Sequence, residues 1–149
     1  PIYGNGGDGV FLLSKKDLNL NQILESFLSL SKEPFMVQKY LPEIIRGDKR
    51  IILINGKPVG AIARVPKQNE IRSNIHVGGS AKKVSISKSD HAICDAIGPE
   101  LKKRKLFFVG IDIIGKYLTE INVTSPTCLI EIKKLSKVDI AKIIWNQLA

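Results

Sequence analysis

A chain of 149 residues has room for one ordinary domain with a real core, and a composition 44% apolar but only 6% aromatic makes that core aliphatic, mainly Ile, Leu and Val. No apolar run approaches the ~20 residues of a membrane span and the start carries no signal-like pattern, so neither membrane insertion nor export is expected. The formal charge of +9, from 23 Lys and Arg against 14 Asp and Glu, attracts anions in general. The one dense basic run, Lys102 to Lys105, has no interleaved aromatic residues to stack on bases, so a solvated lysine-rich surface is the simpler reading and a basic nucleic-acid-binding module the alternative.

From the start, Gly4-x-Gly6-x-x-Gly9 matches the dinucleotide fingerprint by letter. That motif must open a helix after a strand, whereas Val10-Phe-Leu-Leu13 reads as a second strand. A glycine-rich hairpin loop results, either a plain surface turn or one whose bare N–H groups can approach phosphate oxygens. No Lys-Ser/Thr follows, which excludes a Walker loop. Leu20, Ile23, Leu24, Phe27 and Leu28 recur at helical spacing behind Asp17 or Asn19 and predict a helix from about Leu20 to Ser31, its stripe in the core. Phe35 to Leu41 reads as a strand leading into Pro42.

Arg50-Ile-Ile-Leu-Ile54, an Asn55-Gly56 turn and Pro58 to Arg64 form the clearest hairpin. Arg50 and Arg64 bracket it and, taken alone, read as exposed strand-end arginines. Pro66 to Lys83 is polar, lacks either periodicity and is long for a loop inside a domain, which suggests a lid. Its Arg72 can meet an anion; His76 has no assigned role. Ser87-x-x-Asp90 is a capping box for a helix to about Lys103, with a disturbance expected at Gly98-Pro99 and His91 exposed in the first turn. After a strand pair over Phe107 to Pro126, Thr124 to Thr127 reads as a turn and Val138 to Gln147 as a closing amphipathic helix. Cys94 and Cys128 show no ligand spacing and read as reduced thiols of a cytoplasmic protein. With Met only at position 36, the chain is expected to be the later part of a longer protein.

The strand pair over Phe107 to Pro126 carries the chemistry. A three-residue turn, Gly115-Lys116-Tyr117, pairs Ile114 with Leu118, Asp112 with Glu120 and Gly110 with Asn122, which leaves the opposite face apolar. A two-residue turn slips every pair and mixes the faces. The chosen register makes a patch of two carboxylates and a carboxamide beside a glycine that leaves open space above the strand. Like charges so close stay ionised cheaply only with a cation between them, and all-oxygen donors suit Mg²⁺. An ordinary solvated hairpin face is the bland alternative.

Several motifs then occur in one order: Gly-Asn-Gly-Gly at residues 4–7, Gln38-Lys-Tyr-Leu-Pro42, Gly47-Asp-Lys-Arg50, Ala63-Arg-Val-Pro66, Phe108-Val-Gly-Ile-Asp112 and Thr119-Glu-Ile-Asn-Val-Thr-Ser-Pro-Thr-Cys128. Over essentially its whole length the chain resembles the C-terminal, ATP-grasp portion of the bacterial glutathione synthetases. The resemblance implies an α+β ATP-grasp fold over 1–149, an antiparallel or mixed sheet with flanking helices and a lid at 66–83, following an N-terminal substrate domain that this stretch lacks. It implies ATP-dependent ligation of glycine to γ-glutamylcysteine, with another carboxylate substrate as the alternative. The implied partners are these small molecules, with no nucleic acid and no membrane, in a homo-oligomeric parent enzyme.

By residue, the resemblance implies that Asp112, Glu120 and Asn122 hold Mg²⁺, or Mn²⁺ in its place, and that Gly4, Gly6 and Gly7 cover the ATP phosphates. Gln38, Lys39, Tyr40 and Leu41 receive adenine, Asp48 the ribose, and Arg50 the transferring phosphoryl group. Arg64, Arg72 and Asn74 grip the peptide, with Ser125 and Thr127 near the acceptor amino acid. The chain departs from the family pattern at Tyr3, Asn5 and Ser73, none of which removes a metal or phosphate group.

Overall fold

The computed structural model describes Ile2 and residues 7–30, 33–67 and 78–149. The chain forms two compact units, Pro1–Pro42 and Glu43–Ala149. The first is built on helix α1 (Leu20–Leu30). Asp17 starts it, its Oδ1 accepting from the Asn19 amide at 2.9 Å and its carbonyl from the Leu20 amide at 3.1 Å. Phe27 on α1 stacks edge-on against Phe11 at 5.4 Å and lies 5.6 Å from Phe35. No residue of α1 is fully buried, and Leu28, expected in the core, is largely exposed.

Two expected strands are absent from this unit. Residues 10–14 and 34–41 take no ladder partner among the described residues. β-branched and aromatic content makes a segment extended, but a strand also needs a second backbone alongside to receive its N–H and C=O groups.

The second unit is a five-stranded sheet in the order β3-β2-β1-β4-β5, antiparallel at every pair. β1 (Asp48–Ile54) and β2 (Lys57–Val65) are the expected hairpin. Asn55 and Gly56 both take positive φ, +49° and +70°, the left-handed pair that matches strand twist. β3 (Ser80–Lys83) pairs along the edge of β2, so the end of the expected lid loop is strand. Helix α2 (Lys88–Lys103) opens on the expected capping box, with Ser87 and Asp90 bonded reciprocally. It runs through Pro99 without a break. The missing Pro99 N–H orphans only the carbonyl of Asp95, an exposed residue that water can reach.

β4 (Phe108–Ile114) and β5 (Tyr117–Asn122) follow, then two helices, α3 (Leu129–Ser136) and α4 (Ile140–Leu148). α4 is the expected closing helix, capped by Asp139, which accepts from the Lys142 amide at 3.2 Å. α3 was not expected. Its Leu129, Ile132 and Leu135 have helical spacing, but it is short and its N-cap, Cys128, sits at φ +83° without a side-chain capping bond.

Strand alternation divides the core between the sheet's two faces. On one, Ile51, Leu53, Val109, Ile111 and Ile113 pack with Cys94 and Leu101 of α2. On the other, Ile52, Ile54 and Ile62 pack with Cys128, Ile132 and Ile140 beneath α3 and α4. That second face continues beyond the aliphatic cluster into charged residues, and there the site lies.

Candidate active site

Three pairings place the charged side chains. Asp48 stands opposite Arg64 across β1 and β2, Arg50 opposite Asp112 across β1 and β4, and Asp112 opposite Glu120 across β4 and β5. Directly opposed residues share a face, as do residues two apart on a strand, so all of them project on the side that carries Ile52 and Ile62. Arg50, Asp112 and Glu120 thus form one row across three strands. Asn122, opposite Gly110, lies beside it.

The expected partners in the β4–β5 pair form, but by another route. The turn has two residues, with Ile114 opposite Tyr117 and Ile113 opposite Leu118, not Ile114 opposite Leu118. The register then shifts by one, leaving Thr119 out of the ladder and restoring Asp112 to Glu120 and Gly110 to Asn122. The Thr119 hydroxyl donates to the Asp112 carbonyl at 3.1 Å, so the bulge closes on itself.

The cation that the sequence placed between the carboxylates is matched here by two guanidiniums. Arg50 grips Asp112 with two parallel bonds, Nε to Oδ1 and Nη2 to Oδ2, the latter at 2.8 Å. Arg64 grips Asp48 in the same way, Nε to Oδ1 at 2.8 Å and Nη2 to Oδ2, and its Nη2 also lies 2.8 Å from Asp112 Oδ2. All four residues are at most 7% exposed, so the reading of Arg50 and Arg64 as exposed strand-end arginines fails. Buried charges of this kind persist only when paired and hydrogen-bonded, and removing one partner from such a pair costs about 3–5 kcal/mol.

The electrostatics follow from the count of charges. Burial pushes the Asp112 carboxyl up, but the hydrogen bonds and charges of Arg50 and Arg64 outweigh it and hold it below the ordinary carboxylate range. Burial likewise weakens the Arg64 cation, and Asp48 and Asp112 more than restore it. Two arginines balance two aspartates and leave Glu120 in surplus. Its carboxyl is pushed up by partial burial and by Asp112 beside it, against the weaker pull of the arginines. Asn122, its amide oriented by its neighbours, donates to Glu120 Oε1 at 2.9 Å and accepts from Arg50 Nη2 at 3.3 Å.

The space above Gly110 is not open, contrary to expectation. A Cβ there would stand 3.0 Å from Pro126 Cβ and 3.4 Å from Arg50 Cδ. Next to Pro126, Thr127 receives Arg50 Nη1 on its hydroxyl at 3.4 Å, while Ser125 is exposed on the connection to α3. Of the other expected site residues, Gly7 forms a turn at φ +81° in the first unit, and Gln38, Lys39, Tyr40 and Leu41 lie there without regular structure. Gly4, Gly6, Arg72 and Asn74 lie outside the described residues, as do Ser73 and His76. The sequence reading missed the double arginine–aspartate lattice. Its available signal was the alternation Asp48-x-Arg50 with Arg64 and Asp112 at the positions directly opposite.

Among the described residues no group of three or more His, Cys, Asp or Glu side chains could hold a metal ion, and no helix is long and apolar enough to cross a membrane. The oxygen donors of the site are two carboxylates and one carboxamide.

The five-stranded antiparallel sheet with its flanking helices is consistent with an ATP-grasp domain, and residues 1–137 match the family described as prokaryotic glutathione synthetase, ATP-grasp domain. The chain belongs to that family. It is 52% identical over 146 residues to the glutathione synthetase of Mesorhizobium japonicum and 49% over 146 residues to that of Agrobacterium fabrum. It is 50% identical over 140 residues to that of Synechococcus elongatus. These alignments cover 98%, 98% and 94% of this chain but 47%, 46% and 43% of the relatives, so the chain spans about half the length of the curated relatives it matches.

Proposed function

We propose that this chain is the nucleotide- and metal-handling part of an ATP-dependent carbon–nitrogen ligase that joins glycine to γ-glutamylcysteine, releasing glutathione, ADP and phosphate. The observation that carries this reading is the row Arg50–Asp112–Glu120 with Asn122 beside it, in a chain of this family. The dipeptide carboxylate attacks the γ-phosphorus of ATP to give an acyl phosphate and ADP. The glycine amine then attacks the acyl carbon, and phosphate leaves with the electrons of the carbon–oxygen bond.

Both steps move negative charge past fixed donors, and stabilising that charge is the largest service a protein renders to phosphoryl and acyl transfer. Arg50, held by Asp112 and Thr127, is such a donor, and Arg64 with Arg72 and Asn74 grips the peptide. Gly4, Gly6 and Gly7 cover the phosphates, Gln38 to Leu41 receive adenine, and residues 66–83 exclude water that would hydrolyse the acyl phosphate. Asp112, Glu120 and Asn122 would hold a hard divalent ion through oxygen, with Glu120 the carboxylate in surplus; Asp112 and the Asn122 carboxamide oxygen would have to turn from Arg50 and Arg64 toward the ion. Bound there, Mg²⁺ or Mn²⁺ supplies charge cancellation across the ATP phosphates. Ser125 and Thr127 lie near the acceptor amine. Both cysteines are free thiols, which supports a cytoplasmic setting.

The test is ADP release by the complete protein that contains this chain, with a panel of acids and amines. Glutathione formed in step with ADP, only when γ-glutamylcysteine and glycine are both present, is the expected result. Faster turnover with a different carboxylate would move the assignment to another ATP-grasp ligase.

A further inference from the structure

Each acid of the buried lattice is assigned to one ligand while it holds an arginine assigned to another. Asp112, a metal ligand in the reading above, takes Arg50 through both carboxylate oxygens and Arg64 Nη2 at 2.8 Å. Asn122, its companion at the ion, accepts from Arg50 Nη2 at 3.3 Å. Asp48, assigned to the ribose, takes Arg64 through both of its oxygens. The two guanidiniums that the reaction uses as anion donors are thus spent on the groups that the ion and the nucleotide use.

Charge points the same way. Arg50 and Arg64 are offset by Asp48 and Asp112, and Glu120 leaves the unliganded lattice with negative charge in excess, which repels a triphosphate or a peptide carboxylate. A divalent cation turns that excess positive. It also supplies the only exchange that burial permits. Arg50 is 5% and Arg64 4% exposed, so neither guanidinium can leave its aspartate for water, because a buried charge persists only when paired. Each can trade Asp112 for another anion, and Asp112 can trade them for another cation.

We propose that the contact of Arg50 and Arg64 with Asp112 is an interlock: Asp112 withholds both guanidiniums from anionic substrates until a divalent ion and its nucleotide take the carboxylate. Loading of the ion and gripping of the dipeptide are thereby coupled. The inference rests on the ligase reading above and adds an order to it. Empty, the site has its donors folded onto its own acids and does not grip a dipeptide that has no nucleotide to react with. Each binding event favours the other by the same factor, since such a coupling is reciprocal.

The experiment measures, by calorimetry, the affinity of the complete protein for γ-glutamylcysteine with and without Mg²⁺ and the β,γ-methylene analogue of ATP, which cannot transfer its phosphoryl group. Loading is expected to raise dipeptide affinity about tenfold, and the dipeptide to raise affinity for the Mg²⁺ analogue by the same factor. Asp112→Asn removes the charge that holds the guanidiniums. Without Mg²⁺ or analogue it binds the dipeptide about tenfold more tightly than the unmodified protein, and loading then adds less than about twofold. An ion that attracts the dipeptide directly, with no exchange of arginines, gives weak binding by Asp112→Asn under both conditions, and that result overturns the proposal. Where Asp112→Asn does not fold, crystals of the unmodified protein with Mg²⁺ and analogue but no dipeptide decide. Asp112 on the ion with both guanidiniums turned from it supports the interlock; Arg50 still bidentate on Asp112 overturns it. Inorganic sulfate, which has no part in the ligase reaction, separates this failure from failure of the ligase reading. Sulfate bound about tenfold more tightly by Asp112→Asn, in a protein that makes no glutathione, leaves the interlock standing and overturns the ligase. Sulfate and dipeptide affinities unchanged by Asp112→Asn overturn the interlock whatever the protein makes.

Discussion

Asp112 faces Glu120 across β4 and β5 because Thr119, one residue nearer the turn, is left out of the ladder. The two-residue turn by itself would set Asp112 against Thr119 and Ile111 against Glu120, with a carboxylate on the α2 face. The bulge absorbs one residue and returns both acids to one side.

Deletion of Thr119 is therefore expected to leave the site's pairing intact, in contrast to a deletion in a regular strand. The shortened hairpin pairs Asp112 with Glu120 and Gly110 with Asn122 as before. It loses the bond from the Thr119 hydroxyl to the Asp112 carbonyl, about 1 kcal/mol. Cross-strand NOEs between Asp112 and Glu120 should survive, with a melting temperature lower by a few degrees. NOEs from Glu120 to Ile111 would show that the strand had slipped.

The two acids should differ when each is truncated. Asp112 is 2% exposed and neutralises two guanidiniums, so Asp112→Ala leaves Arg50 and Arg64 sharing less negative charge and should lower unfolding free energy by about 3–5 kcal/mol; under the proposed function it also abolishes turnover of the complete protein that contains this chain. Glu120 is the exposed, surplus carboxylate, and Glu120→Ala should abolish the complete protein's turnover with less than about 1 kcal/mol change in stability. Urea midpoints of the two variants check this. Equal destabilisation would show that Glu120 helps balance the arginines in the folded state.

The legible parts of the sequence were those with strong local chemistry. Asn55-Gly56 dictated the β1–β2 hairpin, and Ser87-x-x-Asp90 dictated the start of α2. The acid patch was reached through a turn of the wrong length, because the apolar pattern on one face fixed which residues must share it while leaving the bulge unspecified. Where the outcome depends on partners distant in sequence, the reading failed. Arg50 finds Asp112 across 62 positions, and only the strand order β2-β1-β4 brings them together. Phe35 to Leu41 has strand composition but no ladder partner among the described residues, and α3 forms on a packed Ile132 without a capping residue to announce it.

Acid should expose a second ion pair. Asp90 closes the capping box of α2 and pairs with Lys49 of β1, so it ties helix to sheet. Burial pushes its carboxyl up, but Lys49 and the Ser87 amide and hydroxyl outweigh burial and hold it below its ordinary 3.8. A depressed folded-state value means that its stabilisation is complete above 3.8 and is lost as pH falls below it. Asp90→Asn should therefore be less stable than the unmodified chain at neutral pH, by about 1–2 kcal/mol, with the gap closing in strong acid. Urea titrations at neutral pH and in strong acid check it; a gap independent of pH would assign the loss to packing instead of charge.

Gly110 offers a test of how closely the site is packed. It carries no positive φ, so alanine suits its backbone, and any effect of Gly110→Ala comes from what the methyl group meets. That is Pro126 Cβ at 3.0 Å and the Arg50 side chain at 3.4 Å and 3.6 Å. Pro126 is buried and adjoins Thr127, so it has little room to retreat, whereas Arg50 can swing its long side chain away from Thr127, whose bond to Nη1 at 3.4 Å is already long. The strain should therefore fall on Arg50. Overpacking of this kind costs about 1–3 kcal/mol. If Arg50 attends the transferring phosphoryl group, kcat should fall about 10–100-fold with the KM for ATP nearly unchanged, since a displaced guanidinium weakens the transition state more than the bound nucleotide. A variant that melts several degrees lower yet keeps its kcat would place the strain on Pro126 and remove Arg50 from that role.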